Sequence, residues 1–176
     1  DKNFDVVYRV IDIAGRKGCL FCVDGFTKDE VLLKVLQSWW SIQPDDMPED
    51  ADGFSRKYMP YGEVGVLDQE KDVVVQLLSG ITCIFLDGYD KCLTLDCRTY
   101  PARGVGEPEK DKVMRGSRDG FVETLIFNTA LIRRRIRDPR LTMEILSAGE
   151  SSHTDIAVCY MDGKYSLQGT TQGNGL

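Results

Sequence analysis

Residues 4–40 read FDVVYRVIDIAGRKGCLFCVDGFTKDEVLLKVLQSWW, and this segment already predicts the fold class. Apolar side chains alternate over residues 4–13, and residues 19–23 form a short apolar run. The Gly-containing segment 14–18 between them is typical of a hairpin turn, so two paired strands are predicted. The alternating residues assigned to one face of the first strand are Phe4, Val6, Tyr8 and Val10.

A helix is predicted directly after this hairpin. Thr27 and Glu30 have the spacing of a capping box, in which the two side chains satisfy free amides at a helix start. Apolar residues then recur in pairs four positions apart, which places them on one stripe of the helix. These residues are Val31, Leu32, Val35, Leu36, Trp39 and Trp40. A hairpin followed by an amphipathic helix predicts a mixed α/β domain with helices packed on a sheet.

The pattern continues to about residue 100. Residues 43–53 carry five carboxylates and two prolines without Lys or Arg, which predicts a solvated loop; the spacing of an EF-hand is missing. Residues 63–67 predict a strand, and Asp68 is expected to cap a helix. Residues 81–86 and 92–97 predict two further strands, joined through a turn that begins with Asp87 and Gly88. The apolar residues of the predicted second helix are Val73, Val74, Leu77 and Leu78.

The two halves of the chain differ in charge. Residues 1–100 have a formal charge of −7 and residues 101–176 of +1, and residues 101–112 contain two prolines and two glycines, as linkers do. After this linker we expect Asp119 to cap a helix that ends at Asp138, before Pro139. Its buried face is predicted to consist of Val122, Leu125, Thr129, Ile132 and Ile136. Strands are predicted over residues 141–146 and 155–161.

Several kinds of chemistry have little support. The net charge of −6 argues against a uniformly basic nucleic-acid binder, and His153 is the only histidine, which excludes two-histidine zinc sites. Cys19 and Cys22 form the one C-x-x-C pair, but within a strand residues three apart point to opposite faces. All six cysteines are therefore interpreted as reduced residues of the core, and no catalytic, cofactor-binding or metal-binding residue is predicted.

The most unusual cluster is the segment 133–140, RRRIRDPR, with five arginines and one acid. Three interpretations stay open. The arginines can face solvent and the negative end of the helix, bind carboxylates of a neighbouring domain or partner subunit, or contact anionic lipid headgroups or nucleic acid.

Residues 115–141, RGSRDGFVETLIFNTALIRRRIRDPRL, resemble the signature of the GerA-type spore germination proteins. The segments FDVV at 4–7, LFCVDGF at 20–26, DCRTYP at 96–101 and TDIAV at 154–158 are also similar to this family. The resemblance covers residues 3–164. The polar, Gly-rich residues 165–176 depart from it.

The resemblance implies an architecture of two small mixed-sheet α/β subdomains with helices packed on the sheets, joined by a linker. The first subdomain is expected over residues 3–100, the linker over 101–112 and the start of a second, truncated subdomain over 113–164. Residues 165–176 are expected to be a disordered or foreign tail. In the family a multi-helix membrane domain follows this cytosolic region.

The resemblance also implies a non-enzymatic role in germination at the spore inner membrane. The expected partners are other spore germination or dipicolinic-acid-channel membrane proteins, or further copies of the full-length protein. Candidates for subdomain docking or subunit contacts are Asn128, Arg133, Arg134, Arg135, Arg137 and Asp138. The alternative function is a module that senses a small anion held against the arginines.

Overall fold

A computed structural model describes residues 3–59, 62–100 and 120–163. The described residues form a mixed α/β structure with one five-stranded and one two-stranded sheet. The strands are β1 (Val6–Ile13), β2 (Arg16–Val23), β3 (Glu63–Leu67), β4 (Thr82–Leu86), β5 (Cys92–Asp96), β6 (Leu141–Ala148) and β7 (Thr154–Met161). The helices are α1 (Asp29–Trp39), α2 (Ala51–Tyr58), α3 (Glu70–Leu78) and α4 (Leu125–Arg135). The predicted fold class is thereby confirmed.

The larger sheet has the strand order β1-β2-β4-β5-β3, and every neighbouring pair is antiparallel. Two hairpins contribute to it, as the sequence predicts: a tight one with a two-residue turn between β1 and β2, and one with a five-residue connection between β4 and β5. Ala14 and Gly15 connect β1 to β2 with positive φ angles of 53° and 81°, and Gly88 has a φ of 85° between β4 and β5. The two positive φ angles at Ala14 and Gly15 match the right-handed twist of the strands they join.

Helices cover both faces of this sheet. On one face, Trp39 of α1 and Phe54 of α2 pack in one cluster with Ile84 and Leu93 of the central strands. On the other face, the Cys83 thiol approaches the Val73 carbonyl of α3, because Cys83 and Ile84 are adjacent in β4 and point in opposite directions. The core therefore lies mainly between the sheet and the α1–α2 layer.

The strands predicted within residues 3–100 are confirmed. The predicted linker at 101–112 and tail at 165–176 lie outside the described residues. The loop predicted at residues 43–53 is wrong in part. It contains a 3-10 turn, Pro44–Asp46, and the start of α2. The Asp50 carboxylate accepts a hydrogen bond from the Gly53 amide at 2.6 Å and caps α2. One of the acids that suggested a solvated loop is thus a helix cap.

The predicted helix boundaries also shift. Lys28 precedes α1 and Gln69 precedes α3, and neither Thr27 nor Asp68 caps them. Trp40 is 65% exposed. On β1, Ile13 is buried and Ile11 is partly buried against the main core, whereas Tyr8 and Val10 of the predicted alternating set are exposed. The pattern gives the period of each element, while the packing of its neighbours decides which face is covered.

The last helix is shorter than predicted. It begins at Leu125 and ends at Arg135, and Ile136 is 41% exposed beyond its end. The predicted cap Asp119 lies outside the described residues. The two last predicted strands are confirmed, and β6 and β7 pair with each other as an antiparallel hairpin. In the described part of the chain no helix is long and apolar enough to span a membrane.

Candidate interaction site at the α4 junction

The helix α4 packs against the turn that follows β2. Gly25 in this turn has a φ of 78°, and a Cβ atom at this position would lie 3.1 Å from the Ala130 Cβ and 3.2 Å from the Ile126 Cγ2. Ala130 joins Val23 and Phe26 in a small apolar cluster. Gly25 therefore allows both the left-handed turn and the close approach of α4. We call the contact between α4, β6 and the five-stranded sheet the α4 junction.

A buried ion pair lies at the centre of the α4 junction. Arg133 and Asp5 are 0% and 2% exposed, and the Arg133 Nε and Nη2 donate to the two Asp5 carboxylate oxygens at 2.6 and 3.1 Å. Nη2 also donates to the Leu141 carbonyl at 3.0 Å, and Nη1 to the Asp138 carbonyl at 3.4 Å. One guanidinium thus links the segment before β1, the end of α4 and the start of β6.

The segment before β1 makes further bonds to β6. The Phe4 amide donates to the Met143 carbonyl at 3.1 Å, and the Met143 amide donates to the Asn3 side-chain oxygen at 2.8 Å. Met143 and Leu141 are buried at 0% and 3% exposure. The hairpin β6–β7 is therefore attached to the edge of the larger sheet by one backbone bond, by the Asn3 side chain and by the Arg133 bond to the Leu141 carbonyl.

A second cluster flanks the junction around Tyr100. Its ring meets Phe26 edge to face at a centroid distance of 5.3 Å, and the Arg134 guanidinium lies 4.4 Å from the ring centroid. The Tyr100 hydroxyl donates to the Ser79 carbonyl at 3.1 Å. Arg134 is thus held by a cation–π contact to the residue that ends the second described segment.

Electrostatics stabilise the chain just before Tyr100. The Arg98 guanidinium donates to both Asp96 carboxylate oxygens, and the Arg98 amide donates to the same group at 3.0 Å. The Arg98 side chain holds the pKa of Asp96 below its ordinary value, and the Asp96 carboxylate in turn raises the pKa of Arg98.

Asn128 and Asp138 have local roles. The Asn128 side-chain oxygen accepts from the Val122 amide at 2.8 Å and its Nδ2 donates to the Val122 carbonyl at 2.7 Å, which closes the loop before α4. The Asp138 carboxylate accepts from the Arg140 amide at 2.9 Å and from the Arg140 guanidinium at 2.6 and 3.0 Å. The six candidate residues are therefore not one cluster: Arg133 lies inside the junction, Arg134 at its rim, and Arg135 and Arg137 on the exposed surface.

Sequence reasoning did not assign the partners Asp5, Gly25 and Tyr100 to the site. Each belongs to one of the short segments that are similar to the family, at 4–7, 20–26 and 96–101, so the sequence carries the signal as separate motifs. The structure brings these three motifs to the same helix, because α4 packs on the turn after β2 and its Arg133 reaches the segment before β1.

One thiol lies near the junction: burial, and then the Asp5 carboxylate, raise the pKa of Cys159, while the Arg133 guanidinium lowers it. All six cysteines are free, and Cys83, Cys92 and Cys97 are buried. Burial raises the pKa of the Cys19 and Cys22 thiols, which disfavours the reactive thiolate. Among residues 3–59, 62–100 and 120–163 no group of three or more His, Cys, Asp or Glu side chains is arranged to hold a metal ion.

A cavity of about 380 Å³ lies at the start of α1, and none of its lining residues belongs to the arginine-rich segment 133–140. Its lining residues are Lys28, Asp29, Glu30 and Val31. The two acids do not favour an anion there, and the Arg133 guanidinium already binds Asp5. The geometry therefore supports a packed junction better than an anion-binding site.

Comparison with known proteins shows which family this chain belongs to. The model of the Bacillus/Clostridium GerA spore germination proteins matches residues 1–168. Stage V sporulation protein AF of Bacillus subtilis is 34% identical over 91% of this chain, and spore germination protein KA of the same organism is 35% identical over 80%. The chain spans 33% and 25% of the length of these relatives.

A solved structure has the same fold. The N-terminal domain of the A subunit of the Bacillus megaterium spore germinant receptor GerK3 superposes with a TM-score of 0.70 and 22% sequence identity. The match covers 92% of this chain and 59% of that domain.

Proposed function

The chain belongs to the Bacillus/Clostridium GerA spore germination protein family, and from this premise we propose that it is a non-catalytic domain acting through contacts with other subunits or partner proteins. We place it on the cytosolic side of the spore inner membrane, as part of a longer germination protein. The relatives support this proposal by name, since they include stage V sporulation protein AF and spore germination proteins B1 and KA.

The observation that carries the proposal is that one arginine of the cluster is buried and ion-paired, while others are exposed. Arg133 is buried and bound to Asp5, so it stabilises the α4 junction from inside. Arg134 and Arg137 are exposed at the same end of α4. A rigid junction that presents guanidinium groups at its rim is suited to binding carboxylates or other acceptors of a neighbouring protein.

The partners that fit this surface are other spore germination or dipicolinic-acid-channel membrane proteins. Guanidinium groups bind carboxylates in a bidentate geometry, and a partner with exposed Asp or Glu side chains would supply them. The side chains described at the junction are engaged with one another, which favours a structural and binding role over a catalytic one.

Charge reversal in the full-length protein tests the proposal. Arg134→Glu with Arg137→Glu, introduced at the chromosomal locus, is expected to slow spore germination and to reduce co-purification of germination membrane proteins with the tagged protein. Lys34→Glu on the exposed side of α1 is the matched control and should change neither measurement.

Protein level in the spore membrane fraction is measured in parallel, so that loss of the protein is separated from loss of contacts. If the double variant accumulates normally, germinates at the parental rate and retains its partners, the proposed contact function is wrong.

A further inference from the structure

The outer edge of the five-stranded sheet is formed by β1, and part of this edge is unpaired among the described residues. β1 is the first strand in the order β1-β2-β4-β5-β3. Its beginning is engaged, because the Phe4 amide donates to Met143 of β6 and the Val6 amide lies 3.4 Å from the Asn3 carbonyl. No described strand pairs with the outer side of β1 beyond this point.

The hydrogen-bonding direction of each β1 residue follows from the ladder. The Asp24 amide donates to the Asp5 carbonyl, so Asp5 and every second residue after it face β2. The backbone groups of the intervening residues face outward, and the outward Phe4 amide fits this alternation. Three residues therefore present amides and carbonyls at the open edge: Tyr8, Val10 and Asp12.

Two of the three side chains at this open edge are apolar or aromatic and exposed, and the third, Asp12, is an exposed carboxylate. Val10 is 71% and Tyr8 55% exposed, although both lie in a regular strand. The Tyr8 ring stacks on Phe21 of β2 at 6.1 Å, and Phe21 meets Phe85 of β4 at 5.9 Å. An aromatic row thus crosses three strands and ends at the open edge, which is a typical surface for strand addition.

We propose that two copies of this chain pair through the outer edge of β1, antiparallel and about a two-fold axis that passes between the two Val10 residues. In this register Val10 pairs with Val10 of the second copy, and Tyr8 pairs with Asp12 of the second copy. The outward amides and carbonyls of Tyr8, Val10 and Asp12 are then satisfied by the second copy.

The charged side chains of β1 and the existing contact of its first residues with β6 favour a second copy as the partner, in this register. A pairing centred on Arg9 would place two guanidinium groups directly opposite each other, which destabilises a strand pair. A pairing centred on Tyr8 would need Val6, whose amide is already engaged. With Val10 at the centre, Arg9 faces Ile11 and the Tyr8 hydroxyl lies beside the Asp12 carboxylate, so the edge is complementary to itself and continues the strand contact that β6 begins.

Sedimentation velocity of the 176-residue chain over a range of concentrations tests the proposal. The wild-type chain is expected to shift from monomer to dimer as its concentration rises. Val10→Lys places two ammonium groups opposite each other and is expected to abolish the dimer. Val75→Lys is the matched control, because Val75 is 60% exposed on α3, away from the edge, and this variant should dimerise like the wild type.

Cross-linking provides a second measurement that does not depend on a charge. Val10→Cys is expected to form a covalent dimer under mild oxidation, since directly paired strand residues have Cα atoms within disulfide range. Val75→Cys and the wild type, with its six native cysteines, should stay monomeric on non-reducing gels.

A wild-type chain that stays monomeric at every concentration would overturn the proposal; this is the result expected if another segment of the chain covers the edge. So would a dimer that survives Val10→Lys, or a Val10→Cys yield no higher than that of Val75→Cys.

Discussion

At the level of single residues, the ion pair of Arg133 and Asp5 has the largest predicted effect on stability. Replacing Arg133 with Met leaves a buried carboxylate without its partner, which costs about 3–5 kcal/mol in comparable cases. We expect Arg133→Met to lower the free energy of unfolding by this amount in urea denaturation. Removing both charges with Asp5→Asn and Arg133→Met should cost less than the sum of the single changes.

Arg137→Met is the matched control for this prediction. Arg137 is an exposed arginine only four residues away, and its removal should change the free energy of unfolding by no more than about 0.5 kcal/mol. Equal effects of the two arginine substitutions would contradict the assigned role of Arg133.

The ion pair between Asp96 and Arg98 is expected to make the stability of the fold depend on pH. Arg98 lowers the pKa of this carboxyl in the folded chain. Its contribution to stability is therefore present above the unfolded pKa of about 3.9 and is lost as the pH falls through the lower folded value. We expect Asp96→Asn to flatten the loss of stability below about pH 4, measured by denaturation at a series of pH values. Asp45→Asn, at an exposed carboxylate, should leave the wild-type profile unchanged.

At the level of elements, the packing of α4 depends on Gly25. Gly15 and Gly25 have similar φ angles of 81° and 78°, but a Cβ at Gly15 would meet nothing within 4 Å. Both Gly→Ala variants pay the left-handed penalty of about 1–2 kcal/mol. Only Gly25→Ala also pushes against Ala130, so it should be the more destabilising of the two and should raise amide hydrogen exchange in α4. Equal exchange in α4 for both variants would show that the close approach is unimportant.

For the molecule as a whole, the α4 junction is expected to couple the five-stranded sheet with the β6–β7 hairpin. The Trp39 indole is buried and donates to the Tyr58 carbonyl at 3.1 Å. Its fluorescence, measured in a Trp40→Phe background because Trp40 is exposed, reports the sheet and its helices. Hydrogen exchange of β6 and β7 reports the hairpin. A two-stranded hairpin alone is at most marginally stable, so the wild type should lose both signals in one transition.

In Arg133→Met the hairpin should lose its protection at a lower denaturant concentration than the Trp39 signal. If the two signals already separate in the wild type, the junction does not couple these parts of the chain.

Much of the architecture followed from local patterns. The hairpin turns at Gly15 and Gly88 and most strands needed only alternation and turn residues, which act over a few positions. The errors also have local causes. Asp50 was predicted in a loop because it lies among other acids, but its carboxylate caps α2. Ile136 was predicted to be buried because it fits the 3.6-residue period, but α4 ends at Arg135, one residue earlier.

The candidate site, too, could be predicted only in part from the sequence. Residues 133–140 stood out by composition, and the resemblance of residues 115–141 to the GerA family identified the helix that carries them. Charge alone could not separate Arg133 from its neighbours, because adjacent helix residues point in different directions and only the packed neighbours decide which one is buried.

The amino-acid sequence thus determined the family, the fold class and the order of most elements, since each is encoded in motifs of fewer than about 30 residues. The pairing of Arg133 with Asp5 joins positions 128 residues apart, and the open edge of β1 depends on the strand order of the finished sheet. Such long-range contacts are absent from local patterns and form only when helix, turn and strand edges meet in three dimensions.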